Sequence, residues 1–195
     1  SPMKRHYRYF FPDWDDFIYE PFRSKQDEST QGTRTYAHEA CGTRIPFDGL
    51  LLSLAHIQVG KGALHRHSNG HEGRVRIRQR LRLPDNVLLF GDCGAFSYAA
   101  EAAPPFSPEQ AAELYHKFGF DIGASVDHIP LPEVPVRQAD GSVQKKSLSE
   151  ATRYARMYLT RDNAEKFLRV CARRQYGFTP LGVILALTFI GLPFV

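Results

Sequence analysis

Val87-Leu-Leu-Phe-Gly-Asp-Cys-Gly-Ala-Phe-Ser-Tyr98 is the stretch on which the reading of the fold turns. Val87 to Phe90 form an apolar run without alternation, the pattern of a strand buried on both faces, as in a parallel sheet covered by helices. The run breaks at Gly91-Asp92, which puts Asp92 at the strand's C-terminal end, with Gly91 and Gly94 leaving room around it. In α/β sheets and barrels that edge is where ligands bind and chemistry is done.

Downstream, Ser107-Pro-Glu-Gln110 carries a helix start: Ser107 as cap, Pro108 in the first turn and Gln110 completing a capping box. Ala111, Leu114, Tyr115 and Phe118 follow at i, i+3, i+4 and i+7, and Gly119 is the stop. Phe120 to Pro130 then reads as a strand over residues 122–126 that ends in Asp127 and His128. Strand, helix and strand make a βαβ unit, which sets Asp92 and Asp127 at equivalent ends of parallel strands, facing one pocket. Upstream, Asp48-Gly49 reads as a turn into another buried strand, Leu50 to Ala55. Beyond the unit, the spacing predicts a loop over residues 131–146, with Pro132, Pro135 and the turn Asp140-Gly141. It then predicts helices over 149–159 and 160–174, the second capped by Thr160 and stopped by Gly177, and a strand over 178–187.

The 195 residues are 43% hydrophobic, ample for a core, and a net charge of +4 with a pI near 9.0 permits a nucleic-acid partner without specifying one. Cys41, Cys93 and Cys171 stand far apart in no CxxC spacing, which reads as reduced thiols in a cytoplasmic protein, with neither a disulfide framework nor a local zinc motif. The first residues lack the apolar core of a signal peptide. Residues 176–195 are uncharged and as long as a membrane span, but Pro180, Gly182, Gly191 and Pro193 argue against a regular helix; the expectation is a buried strand and an apolar tail over 188–195.

The aromatics Tyr9, Phe10, Phe11, Trp14, Phe17, Tyr19 and Phe22 read as core filling, with a base-stacking platform as the alternative. His65, His67 and His71 lie in a Gly- and Arg-rich basic loop; a metal site is the alternative, but no carboxylate or thiol stands at a ligand spacing, so no metal ligand is assigned. Arg74, Arg76 and Arg78 are candidates for nucleic-acid backbone contacts, on an extended segment whose charged residues alternate with apolar ones up to Leu83.

Two motifs, Gly91-Asp-Cys-Gly-Ala-Phe-Ser-Tyr98 and Phe120-Asp-Ile-Gly-Ala-Ser-Val-Asp-His128, resemble the tRNA-guanine transglycosylase superfamily, most closely its DNA-acting branch, which places 7-deazaguanines in DNA. Phe11-Pro-Asp-Trp-Asp-Asp16 and Phe47-Asp-Gly-Leu-Leu51 add to that likeness, which runs over residues 7–183. The resemblance implies an α/β chain forming about the first half of a (β/α)₈ TIM-type barrel in a single domain: an N-terminal extension over 1–45, βα units over 46–187, and the apolar tail.

It further implies exchange of guanine for a 7-deazaguanine base in DNA or tRNA through a covalent sugar–aspartate intermediate. Asp92 is then the catalytic acid near the glycosidic bond, and Asp127 accepts from the N1 and N2 edge of guanine. Phe96, His128, Gly94 and Ser97 join it in the substrate pocket, since the target base must leave its stack. The family's covalent aspartate and its zinc site lie in a later half with no counterpart here, so the chain is expected to be incomplete alone, with a second chain completing the barrel as one possibility. A non-catalytic nucleic-acid-binding or split-enzyme partner subunit stands as the second reading, and a metal-dependent TIM-barrel hydrolase using the histidines as the third.

Overall fold

The computed structural model describes residues 8–12, 17–18, 35–42, 44–55 and 77–179. Its framework is a four-stranded parallel sheet in the order β1 (Phe10–Pro12), β4 (Gly49–Ser53), β5 (Leu88–Asp92), β6 (Ile122–Gly123). β2 (Phe17–Ile18) and β3 (Thr35–Tyr36) pair separately, and α1 (Ala37–Ala40) follows them. Thr179 adds a parallel bridge to Ile122 on the far side of β6. Each described strand of the sheet thus lies beside the one before it in the chain, without the reversal of order that marks a doubly wound sheet. The first of them comes from the N-terminal region read as an extension.

The register sorts the side chains. Leu51, Ser53, Phe90 and Asp92 share one face; Leu50, Leu52, Leu89, Gly91 and Gly123 share the other, where the three leucines are fully buried. α3 (Pro108–Phe118) covers this second face and sends Tyr115 into it. Gly91 and Gly123 are register partners, and a Cβ on either would strike the Tyr115 ring, at 2.1 Å and 2.6 Å respectively. The two glycines open a slot, and the tyrosine fills it. Phe120, Phe167 and Phe178 close around that ring, with centroids 5.3, 6.1 and 5.7 Å away.

The capping box is present as expected, with Ser107 accepting from the Gln110 N–H and Gln110 accepting from the Ser107 N–H, and Gly119 ends α3 at φ +75°. Five expectations are corrected. The arginine-rich segment is helical at α2 (Ile77–Arg80), because buried Ile77 and Leu81 are four residues apart and serve a helical stripe as well as an extended one. The loop over 131–146 holds an antiparallel hairpin, β7 (Glu133–Arg137) and β8 (Val143–Ser147), turning at Gly141; Pro135 fits because a two-stranded ribbon leaves one edge without need of an N–H.

The helices over 149–159 and 160–174 are one, α4 (Glu150–Arg174), since Thr160 turns inward and bonds the His128 backbone rather than capping. Gln175, in the left-handed region, ends it in place of Gly177. The strand read over 122–126 is confined to Ile122–Gly123, so Asp127 follows it on irregular chain. The strand expected over 178–187 and the tail lie outside the described residues beyond Thr179, as do His65, His67, His71, Arg74 and Arg76. Among the described residues no helix is long and apolar enough to cross a membrane.

Candidate functional site

The two ends of the sheet treat their acids differently. At the N-terminal end, Asp121 takes the Arg78 guanidinium at 2.6 Å and the Leu89 N–H at 2.8 Å, and Asp48 takes the Tyr9 N–H at 2.7 Å. Those carboxylates pin strand starts. At the C-terminal end, Asp92 and Asp127 have no cationic partner among the described residues.

Asp92 closes β5, beside its register partner Ser53 on β4. The chain then turns at Gly94, at φ +80°, and the Gly94 N–H donates to Asp92 Oδ2, 2.9 Å away. A Cβ there would lie 2.1 Å from Ser53 Oγ, so both the backbone and the space require glycine. Ser53 Oγ is itself buried, without a hydrogen-bond partner among the described residues. The short 3-10 turn Ala95–Tyr98 carries the motif back toward β6.

Asp127 is held largely through this first motif. The Cys93 thiol donates to its Oδ1, and the Tyr98 hydroxyl donates to its main-chain oxygen at 2.8 Å. Burial pushes both carboxyls above the usual aspartate range. For Asp92 the N–H groups of Gly94 and Cys93 oppose that push; for Asp127 the Cys93 thiol opposes it and the charge of Asp92 adds to it. The thiol is raised well above its ordinary value by burial and by both acids, which keeps it a donor and removes it as a nucleophile.

Such acids make the protein less stable as pH rises, because the native state binds protons that the unfolded chain has already lost. The sign follows from folded values raised above unfolded ones. Asp92→Asn is therefore expected to melt above the parent at pH 7, with the gap closing as pH falls toward 4; thermal melts across that range check it, and equal melting at pH 7 would refute it.

The other sequence candidates are distributed unevenly. Gly94 belongs to the site, and Phe96 and Ser97 are exposed on the 3-10 turn, Phe96 at 78%. His128 is only 1% exposed, with its ring toward Tyr98; burial and the Arg156 charge lower its proton affinity. It sits in the seam behind the acids rather than at an open surface. Arg78, a backbone-contact candidate in the sequence, is committed instead to the Pro84 and Val87 carbonyls, both at 2.7 Å, and to Asp121. It braces the strand starts. Among the described residues no cluster of three metal-ligating side chains occurs.

Two residues of α4 have roles that the sequence reading missed: Arg156 was not singled out, and Thr160 was read as a cap. Arg156 is 6% exposed and donates to the carbonyls of Ala99 (2.8 Å), Ile129 (3.1 Å) and Glu101 (3.1 Å), tying together the loops that follow the two acids. Thr160 Oγ1 receives the His128 N–H at 2.9 Å. The signal was a continuous inward stripe: stepping back by four from Ala164 lands on Thr160 and Arg156.

No family model matches the chain. A DNA-guanine transglycosylase of Salmonella montevideo is 34% identical to it over 185 residues, 90% of this chain and 42% of that protein. The chain thus spans less than half the length of that curated relative. Sustained over nine-tenths of its length, this likeness agrees with the two motifs read from the sequence and supports a place for the chain in the guanine transglycosylase superfamily.

Proposed function

We propose that this chain is the base-binding part of a guanine transglycosylase that exchanges guanine for a 7-deazaguanine in DNA. The observation that carries the reading is the pair of half-buried acids at one end of the sheet, Asp92 closing β5 and Asp127 on the chain that follows the adjacent parallel strand β6, free of cations among the described residues. A carboxylate so placed suits the N1 and N2 donors of guanine, which is the role given to Asp127; Asp92 moves a proton or steadies developing positive charge at the glycosidic bond. Phe96 walls the flipped base, with Gly94 and Ser97 beside it. The name of the relative favours DNA over tRNA, and Arg74 and Arg76 are the phosphate contacts in this reading.

The strand order supports the reading of the sheet as part of a (β/α)₈ barrel, in which successive parallel strands are neighbours throughout. The covalent aspartate and the zinc belong, in this reading, to the remainder of such an enzyme or to a second chain. This chain then binds base but completes no exchange by itself. The reading is tested by equilibrium binding of guanine and of 7-cyano-7-deazaguanine to the 195-residue chain. Asp127→Asn is expected to weaken binding about 10- to 100-fold, the range for one hydrogen bond to a charged acceptor. Affinity is expected to fall as pH drops through the raised Asp127 range, because only the carboxylate accepts both donors. Parent protein that binds neither base, or an Asp127→Asn variant that binds like the parent, overturns the reading.

A further inference from the structure

We propose that Cys93 is a positioning residue for base recognition: its thiol, bonded to Asp127 Oδ1, fixes the Asp127 carboxylate so that Oδ2 is the oxygen offered to a base's donor edge. This deepens the reading above and rests on it.

Asp127 stands four residues beyond the end of β6, on chain that no ladder holds. Two contacts from the first motif replace the ladder, each acting on a different part of the residue. Tyr98 fixes the backbone through the main-chain oxygen, which leaves the side chain free to rotate. Cys93 removes that freedom by engaging one carboxylate oxygen. The thiol is suited to this task because it is 1% exposed, and burial together with the two acids favours its protonated, donating form.

The groups that act on Asp127 are Asp92 and Cys93 from the end of β5, Tyr98 from the 3-10 turn and Tyr115 from α3, while the neighbouring His128 is under the charge of Arg156 of α4. Among the described side chains, Cys93 is the one that donates to the carboxylate. Its loss sets the carboxylate free and also withdraws the bond that favours the charged form, so the acid titrates higher.

The test compares the full chain with Cys93→Ser, Cys93→Ala and Asp127→Asn, by guanine affinity against pH and by carbon-13 NMR titration of the Asp127 carboxyl without base. Cys93→Ala is expected to weaken guanine binding about 3- to 10-fold at pH 7 and to move both the acid limb and the carboxyl midpoint upward by about half to one pH unit. Cys93→Ser, which keeps a donor, is expected to stay within about twofold of the parent with an unmoved acid limb.

Parent-like affinity and midpoint in Cys93→Ala overturn the proposal, as does a shifted acid limb in Cys93→Ser. If Asp127→Asn alone abolishes binding in that case, the base-binding reading stands without it. Parent protein that binds no guanine overturns both, and the carboxyl titration then still reports whether the thiol and the carboxylate are coupled.

Discussion

Gly91→Ala is expected to destabilise the protein by about 3 kcal/mol, at the upper end for overpacking a core site. The added Cβ would lie 2.1 Å from Tyr115 Cε1 and 2.4 Å from Cδ1, and the ring cannot swing away because it is fully buried among Phe120, Phe167 and Phe178. Relief must come from the backbone of β5, which carries Asp92 at its end. Urea denaturation of Gly91→Ala, Tyr115→Leu and the double variant forms a cycle. The double variant is expected to lose less than the sum of the two single losses, by more than about 1 kcal/mol, since the smaller side chain vacates the slot. Additive losses would show that the clash is not the cause.

Arg156→Met comes second, with an expected loss of about 3 kcal/mol. The methionine matches the apolar stem but leaves the Ala99, Glu101 and Ile129 carbonyls without their donor, and an orphaned buried polar group costs about 1 to 3 kcal/mol. Arg156→Lys is expected to recover only part of this, because a compact ammonium cannot span three acceptors that the planar guanidinium reaches together. Chemical denaturation checks both variants. A loss below about 1 kcal/mol for Arg156→Met would mean that the three carbonyls find other partners.

The parts of the fold legible in the sequence were those in which local and tertiary signals agree. The apolar run before Asp92 became β5, the capping box and Gly119 bounded α3, and the two strands brought both acids to one end of the sheet. The reading failed where a residue's tertiary duty contradicts its local habit. Thr160 looked like a cap because threonine commonly is one, yet its hydroxyl serves the His128 backbone across the core. Arg156 occupies a position that the helical stripe reserves for an apolar side chain, and so it broke the pattern by which the stripe would have been seen.

Arg78 shows the same limit from the other side. Its place in a basic run suggested phosphate, whereas its actual partners, Pro84, Val87 and Asp121, come from up to 43 residues away. The linkage of Asp127 to Cys93 and Tyr98 spans 34 and 29 residues, and no spacing rule addresses such distances.

The β7–β8 hairpin leaves the framework and returns to it at almost the same point, where the Leu148 N–H donates to the Pro132 carbonyl at 2.8 Å. The intervening residues, 133–147, therefore form a closed excursion whose length the sheet does not register. Only Val134 among them is fully buried. The architecture thus contains a joint, five residues past Asp127, at which the chain tolerates lengthening, shortening or replacement of a whole ribbon while β6, α4 and the acids keep their places.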